Sequence, residues 1–450
     1  MTWPAPVRAR ALLAALASAP LLSSCSSGGG APTTPGARPP VASIAVVAGT
    51  GQAGAVNTVL GTAVQVRAQD GSGNPIANDT INFFASTGGA VLSQTFGVTD
   101  AAGIATVAWT LGRCPGTHTI VAIAQRTPST IATLSATATG GIAGYCVELL
   151  YTIAPNPTLK VAAEAAATRW SAILNGTSFA PETLDFNPAT LPAGEQKCAG
   201  IQMVRVPKRI VKNVVILVEL TDIPSPTPGL VTLGSAGPCY IRTPGNVTVF
   251  GGLRLNSTYL INNLTAAQRE DVVLHEMGHV LGFGTLWDEP AINLLVNPIV
   301  TSGAATQPLP GFTGVASRAM WTTMGGPASP ASVPVEGCGS GGTVNGHWRE
   351  SAFGDELMTG YISAPGGGHN PLSKLTLTSM QDMGYSVDIT QADFFTINVR
   401  ACPAVAGAGV FNVGSVVIVD KNNVPTAAVE TLTRATHIVY GGQHIPIVRR

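Results

Sequence analysis

Between residues 41 and 141 the chain alternates short apolar, β-branched runs with turn-forming clusters. SIAVVAG, AVQVRAQD, TINFFAS, ATVAWTL and HTIVAIA are separated by GSGNP, STGG and TDAAG. Strands recurring at roughly 8–12 residues predict a β-sandwich. The period then lengthens. In residues 158–175, Leu159, Ala163, Ala166, Trp170 and Ile173 recur at helical spacing, with Gly176 as a stop. VVILVELTDI (214–223) predicts a buried strand, and TVFGGLRLN (248–256) predicts another. LTAAQREDVVLHEMGHVLGFGTLW (264–287) returns to the helical period, with Val272, Val273, Val280 and Leu281 on its buried side. Thr265 and Gln268 form a capping box at its start, and Gly282 supplies a left-handed stop. Beyond residue 390, GSVVIVD and ATHIVYG read as strands, either packed on the preceding domain or forming an accessory module.

The polar residues inside the 264–287 helix carry the chemistry. His275 and His279 are four apart, so one turn separates them on one face and both imidazoles can reach a single Zn²⁺. Glu276, beside the first histidine, is placed to take a proton from a metal-activated water. A chain with only seven histidines rarely forms this pattern by chance. Catalytic zinc needs a third protein ligand and an open position. In the compact HExxHxxGxxH arrangement that ligand would stand where this chain has Thr285. The remaining candidates are His347, His369 in a GGGHN loop, and the carboxylates Glu289, Glu350 and Glu356. His118 reads as a strand residue, and His437 and His444 as surface residues.

The segments HEMGHVLGF and HWRESAFGDELMTG (347–360) resemble the leishmanolysin-type metzincin peptidases. In that family a long insertion precedes the third histidine, which is followed eleven residues on by the methionine of an ELM sequence. His347 and Met358 have that spacing, and Glu356-Leu357-Met358 is the ELM. LTLTSMQDMGY (375–385) resembles the family's closing helix and its DMGY ending. The resemblance spans roughly residues 145–390 and implies an α+β metzincin-type zinc peptidase domain. It implies one catalytic Zn²⁺ on His275, His279 and His347, and Glu276 as general base in peptide-bond hydrolysis. Met358 would pack beneath the metal as the structural Met-turn. Proteins or peptides would be the substrates, bound by an edge strand through main-chain hydrogen bonds. The 67 residues between His279 and His347 would then shape the primed side of the cleft. One departure is Gly278, which costs the helix about 1 kcal/mol relative to Ala but would let another backbone approach. The other is a short N-terminal part of the catalytic region. Upstream, DGSGNPIANDTINFFAS and the runs after it resemble a bacterial Ig-like domain of the invasin type, a spacer or adhesive module.

Composition narrows the setting. Net charge is zero and charged residues are 11% of the chain, against about 25% in typical soluble domains. There is no basic block, so nucleic acid is not an expected partner. Arg8 and Arg10 precede an apolar run over residues 11–22 that suits a signal peptide. Leu22-Ser23-Ser24-Cys25 resembles the bacterial lipoprotein box, which implies removal of residues 1–24 and a lipid on Cys25. Residues 25–40 would be a flexible tether, and the mature protein an exported lipoprotein at the cell envelope or outside it. Six further cysteines, an even number in an exported chain, suggest disulfides. Cys198 with Cys239 is the preferred pair, because each lies beside a predicted strand.

The sequence therefore predicts a multidomain chain. An all-β Ig-like sandwich (41–141) precedes an α+β metzincin-type zinc peptidase (145–390) and a β-rich extension (391–450). The expected function is a secreted or surface-anchored zinc endopeptidase. The alternatives are an adhesin or binding lipoprotein with a non-catalytic protease-like domain, and a zinc hydrolase acting on a non-peptide amide.

Overall fold

A computed structural model describes residues 38–85, 89–141, 144–192, 195–203, 206–224, 231–243, 245–299, 309–337, 343–362, 368–397, 415–419, 425–432, 434–435, 437–440 and 443–446. Residues 1–24, expected to be a signal peptide, Cys25, most of the expected tether, Cys338 and Cys402 lie outside these residues, as do the side chains of His437 and His444. Among the described residues no helix is long and apolar enough to cross a membrane.

The first domain is a β-sandwich of two sheets. Its strands are β1 (Ser43–Ala48), β2 (Gln52–Ala55), β3 (Val64–Gln69), β4 (Thr80–Ala85), β5 (Phe96–Val98), β6 (Ile104–Val107), β7 (Gly116–Ala124) and β8 (Ile131–Thr139). One sheet runs β1-β3-β6 and the other β2-β8-β7-β4-β5. Period-2 alternation turns Val64, Val66, Ala68, Ile81, Phe83, Ile120 and Leu134 into one shared core.

His118 is a buried strand residue of this domain. Its Nδ1 accepts the Gly112 N–H at 3.2 Å, and its Nε2 lies 2.6 Å from the Cys114 carbonyl oxygen. That geometry needs a neutral ring protonated on Nε2. Burial pulls its pKa below the ordinary imidazole value, against the Cys114 hydrogen bond. A depressed pKa means that the unfolded chain takes up the proton first as pH falls. His118 therefore stabilises fully above about pH 6.5 and loses that contribution as pH drops toward its folded value. Denaturant midpoints between pH 7.5 and 5 should fall more steeply in the wild type than in His118→Gln; equal slopes would exclude this role.

The same turn ties the sandwich to the second domain. Cys114 is disulfide-bonded to Cys146, a pair that the sequence does not predict. Arg113 donates to the Val147 carbonyl at 2.7 Å and to Thr168 Oγ1 at 2.6 Å.

The second domain begins with β9 (Val147–Tyr151) and α1 (Pro157–Ile173), followed by β10 (Val214–Thr221), β11 (Val231–Arg242) and β12 (Thr248–Asn256). β9, β10 and β12 are mutually parallel, and β11 runs antiparallel to β12. β10 is apolar at successive positions because both faces are covered. Val214, Ile216 and Val218 join the main core, while Val215 and Leu217 join a second cluster around Cys198 and Cys239. Those two cysteines form the expected disulfide. α1 buries Leu159, Ala163, Ala166, Trp170 and Ile173 as its spacing predicts. Its end differs from the expectation: the C-cap is Leu174, and Gly176 instead leaves room for Ser386, whose Oγ would stand 2.5 Å from a Cβ there.

Two helices come next, α2 (Ser257–Asn263) and the motif helix α3 (Ala266–Leu281), which packs on α1 and on β11 and β12. The insertion after α3 contains α4 (Val315–Thr323), and the chain continues through α5 (Glu350–Phe353), β13 (Tyr361–Ile362) and α6 (Lys374–Asp382). Asp382, at the end of α6, accepts the Ala316 and Ser317 N–H groups at 2.8 and 2.9 Å and so caps α4. The C-terminal strands are β14 (Ser415–Val419), β15 (Pro425–Leu432), β16 (His437–Tyr440) and β17 (Gln443–Pro446). They join the domain's own sheet, whose order is β9-β10-β12-β11-β15-β14-β13.

Candidate metal and catalytic site

α3 is fixed at both ends by local chemistry. Thr265 Oγ1 accepts the Gln268 N–H at 3.2 Å, and Gln268 Oε1 accepts the Thr265 N–H at 3.0 Å, completing the capping box. At the other end Gly282 has φ 116°, its N–H bonds His279 O, and the Phe283 N–H bonds Gly278 O at 3.0 Å. This is a Schellman motif. The other terminal carbonyls are taken by hydroxyls. Thr285 Oγ1 donates to His279 O at 2.7 Å, Thr248 Oγ1 to Val280 O at 2.7 Å, and Tyr385 OH to Leu281 O at 2.8 Å. Thr285 and Tyr385 thus hold the helix end still.

His275 and His279 meet His347, which arrives from the loop before α5. Their three Nε2 atoms are 2.9, 3.1 and 3.2 Å apart, and all three residues are buried. Nitrogens each about 2.0–2.1 Å from one tetrahedral zinc would be roughly 3.3 Å apart, so the triangle has the size of one face of such a site. Each Nδ1 lies beside a carbonyl oxygen: Leu357 O at 2.7 Å for His275, Phe283 O at 2.8 Å for His279, and Thr343 O at 3.0 Å for His347. With Nδ1–H donating to a carbonyl, every Nε2 lone pair points inward, the arrangement that orients metal-binding histidines. Among the described residues this triad is the group able to hold a metal ion.

The other candidate third ligands lie elsewhere. His369 Nδ1 is 2.8 Å from Asp271 Oδ1, one turn before His275. Asp271 also accepts the Asn370 N–H at 2.7 Å, so it ties α3 to that loop, and burial raises its pKa despite these bonds. Glu289 and Glu350 are buried outside the triad. Glu356 is a structural anchor. Its carboxylate accepts the Met358 N–H at 2.6 Å, the Ser373 N–H and hydroxyl at 3.0 and 2.7 Å, and the Thr376 hydroxyl at 2.5 Å. It therefore joins the turn carrying Met358 to the start of α6, while burial pushes its carboxyl above the usual range.

Met358 packs against α3. A Cβ at Gly278 would stand 3.0 Å from Met358 Cε and 3.2 Å from Trp170 Cζ2. Gly278 thus admits side chains, not the backbone that the sequence suggested. Under His347, Trp348 joins Phe283, Trp287, Phe312 and Phe353 in an aromatic cluster with ring centroids 4.6–6.0 Å apart. Glu276 is buried beside the triad. Gly234 on β11 makes room for it, since a Cβ there would lie 3.4 Å from Glu276 Oε1. The sequence reading missed Gly234, Asp271 and the structural use of Glu356. The only signal for Glu356 was a carboxylate two residues before Met358 in a segment that is otherwise mostly apolar or small.

Residues 202–406 match the Leishmanolysin family model, peptidase family M8. That match marks a metallopeptidase region of a zinc-dependent family. No curated protein matches the chain. Several solved structures are similar to a part of it. The D00-D0 domain of intimin is 23% identical, with 22% of this chain and 47% of that one covered and a TM-score of 0.18. Domains 4 and 5 of the S-layer protein SbsC are 18% identical, with 23% and 54% covered and a TM-score of 0.18. The adhesin InvE of Yersinia pseudotuberculosis is 19% identical, with 22% and 32% covered and a TM-score of 0.19. The chain spans about half or less of the length of these structures.

Proposed function

We propose that this chain, which carries a leishmanolysin-type metallopeptidase region over residues 202–406, is a zinc-dependent endopeptidase of the metzincin type. One observation carries the reading: three Nε2 atoms within 3.2 Å of one another, each imidazole oriented by a carbonyl, beside a buried carboxylate. His275, His279 and His347 would hold one ion and leave a position open. Zinc bound there supplies a Lewis acid and brings the pKa of water toward neutrality. Glu276 takes the proton as the water oxygen attacks the scissile carbonyl carbon. It returns that proton to the amine nitrogen as the C–N bond breaks. Met358, with no ligand role, supports the floor of the site through Gly278.

Metal content and casein hydrolysis of the full chain test the assignment. The wild type should bind about one zinc per chain, and His347→Ala should lose zinc and hydrolysis together. His369→Ala, whose ring pairs with Asp271, should keep both. Stoichiometric zinc and full turnover in His347→Ala would refute the ligand set.

A further inference from the structure

β11 is the strand beside Glu276, as the Gly234 contact shows. One of its edges is hydrogen-bonded to β12. An extended peptide laid along the other edge would pass the carboxylate and be held by main-chain hydrogen bonds. In this chain that edge is already filled. β15 runs parallel to β11, with Val231 opposite Ala428, Thr232 opposite Val429, Gly234 opposite Glu430 and Ala236 opposite Leu432. β16 continues the pairing along Tyr240, Ile241 and Arg242. Between these strands Ala435 is buried with Ile241 and Leu286, and Arg434 pairs with Asp288, both just beyond the end of α3.

The far side of this segment is also secured. β14 pairs antiparallel with β15 and parallel with β13, where Tyr361 stands opposite Val417. Tyr361 is three residues beyond Met358. The antiparallel pair β14 and β15 therefore links the strand beside Glu276 to the strand leaving the methionine turn. Both strands thus belong to one sheet, joined through β15 and β14.

We propose that strands β14, β15, β16 and β17 form a built-in strand plug that occupies the substrate edge of β11 and restrains the peptidase. The inference rests on the peptidase reading above. Edge N–H and C=O groups can serve one partner at a time, so substrate must displace β15 before it can lie along Glu276.

The test weakens the plug within the full chain. Ala428→Pro with Glu430→Pro places two residues that cannot donate to a ladder in β15. With zinc content unchanged, kcat/KM on a quenched fluorescent peptide should rise at least about tenfold, mainly through KM. Amide exchange at residues 231–236 should quicken, and added peptide of sequence 425–432 should reverse the gain. A zinc-loaded, cooperatively folding variant with wild-type kcat/KM and unchanged exchange would overturn the proposal. Should the proline variant fail to fold, Ser235→Cys with Thr431→Cys, directly opposed across the ladder, gives the opposite test. Crosslinking should then suppress turnover, and equal turnover with and without the crosslink would overturn the proposal. If no form cleaves any substrate, the peptidase reading fails. Exchange at 231–236 and binding of labelled 425–432 peptide to the released chain then decide the docking by themselves.

Discussion

Glu276→Gln should bind zinc like the wild type and hydrolyse peptides about 10²–10⁴-fold more slowly, the usual contribution of a positioned acid–base group. The amide has the shape of the carboxylate and keeps an acceptor oxygen, so the fit against Gly234 on β11 survives. It cannot hold the transferred proton. The three Nε2 atoms and their Nδ1 partners lie on other residues, so the metal site should not respond. Metal analysis beside kcat/KM on a fluorogenic peptide reads both halves of the expectation. Full activity in Glu276→Gln would remove the glutamate from the mechanism, and loss of zinc would make it part of the metal site. A chain that only binds ligands would be indifferent to this substitution, which makes the same variant the test against an adhesin.

Legibility in the sequence tracks the range of the forces involved. α3 could be read to its caps, because the capping box and the left-handed glycine act within one turn. The His275–Glu276–His279 cluster was equally local. His347 was reachable only through resemblance, since 67 intervening residues carry no spacing rule that brings it to α3. The Cys114–Cys146 bridge was missed because it joins two domains, whereas Cys198 and Cys239 flank strands of one. Asp271 and Glu356 looked like surplus carboxylates, and their roles depend on loops folded from about 100 and about 20 residues downstream. The largest omission was the pairing of β15 with β11, between segments nearly 200 residues apart. Strand propensity marks the runs but says nothing about their partners.

Gly284→Ala should cost the site its third histidine, weakening zinc binding about 10–100-fold, as loss of a supporting contact does. Gly284 has φ +71°, a conformation that costs an L residue roughly 1–2 kcal/mol. The steric term is larger. A Cβ there would lie 2.0 Å from Gly346 O and 2.6 Å from Gly346 C, both backbone atoms that no rotamer change can move. Gly346 must retreat by about 1 Å to restore ordinary contact, and it is bonded directly to His347. His347 sits in a triangle whose sides are 2.9–3.2 Å, so a displacement of that size takes its Nε2 out of ligand range. Gly278→Ala is the internal control. Its new methyl group would lie 3.0–3.2 Å from the side chains of Met358 and Trp170, not against backbone, and adds helix propensity of about 1 kcal/mol, so its loss of zinc affinity should be smaller than that of Gly284→Ala. Competition titration against a chelator measures both variants. Wild-type affinity in Gly284→Ala would show that His347 does not depend on the Gly284–Gly346 approach, and equal losses in the two variants would point to general destabilisation of α3.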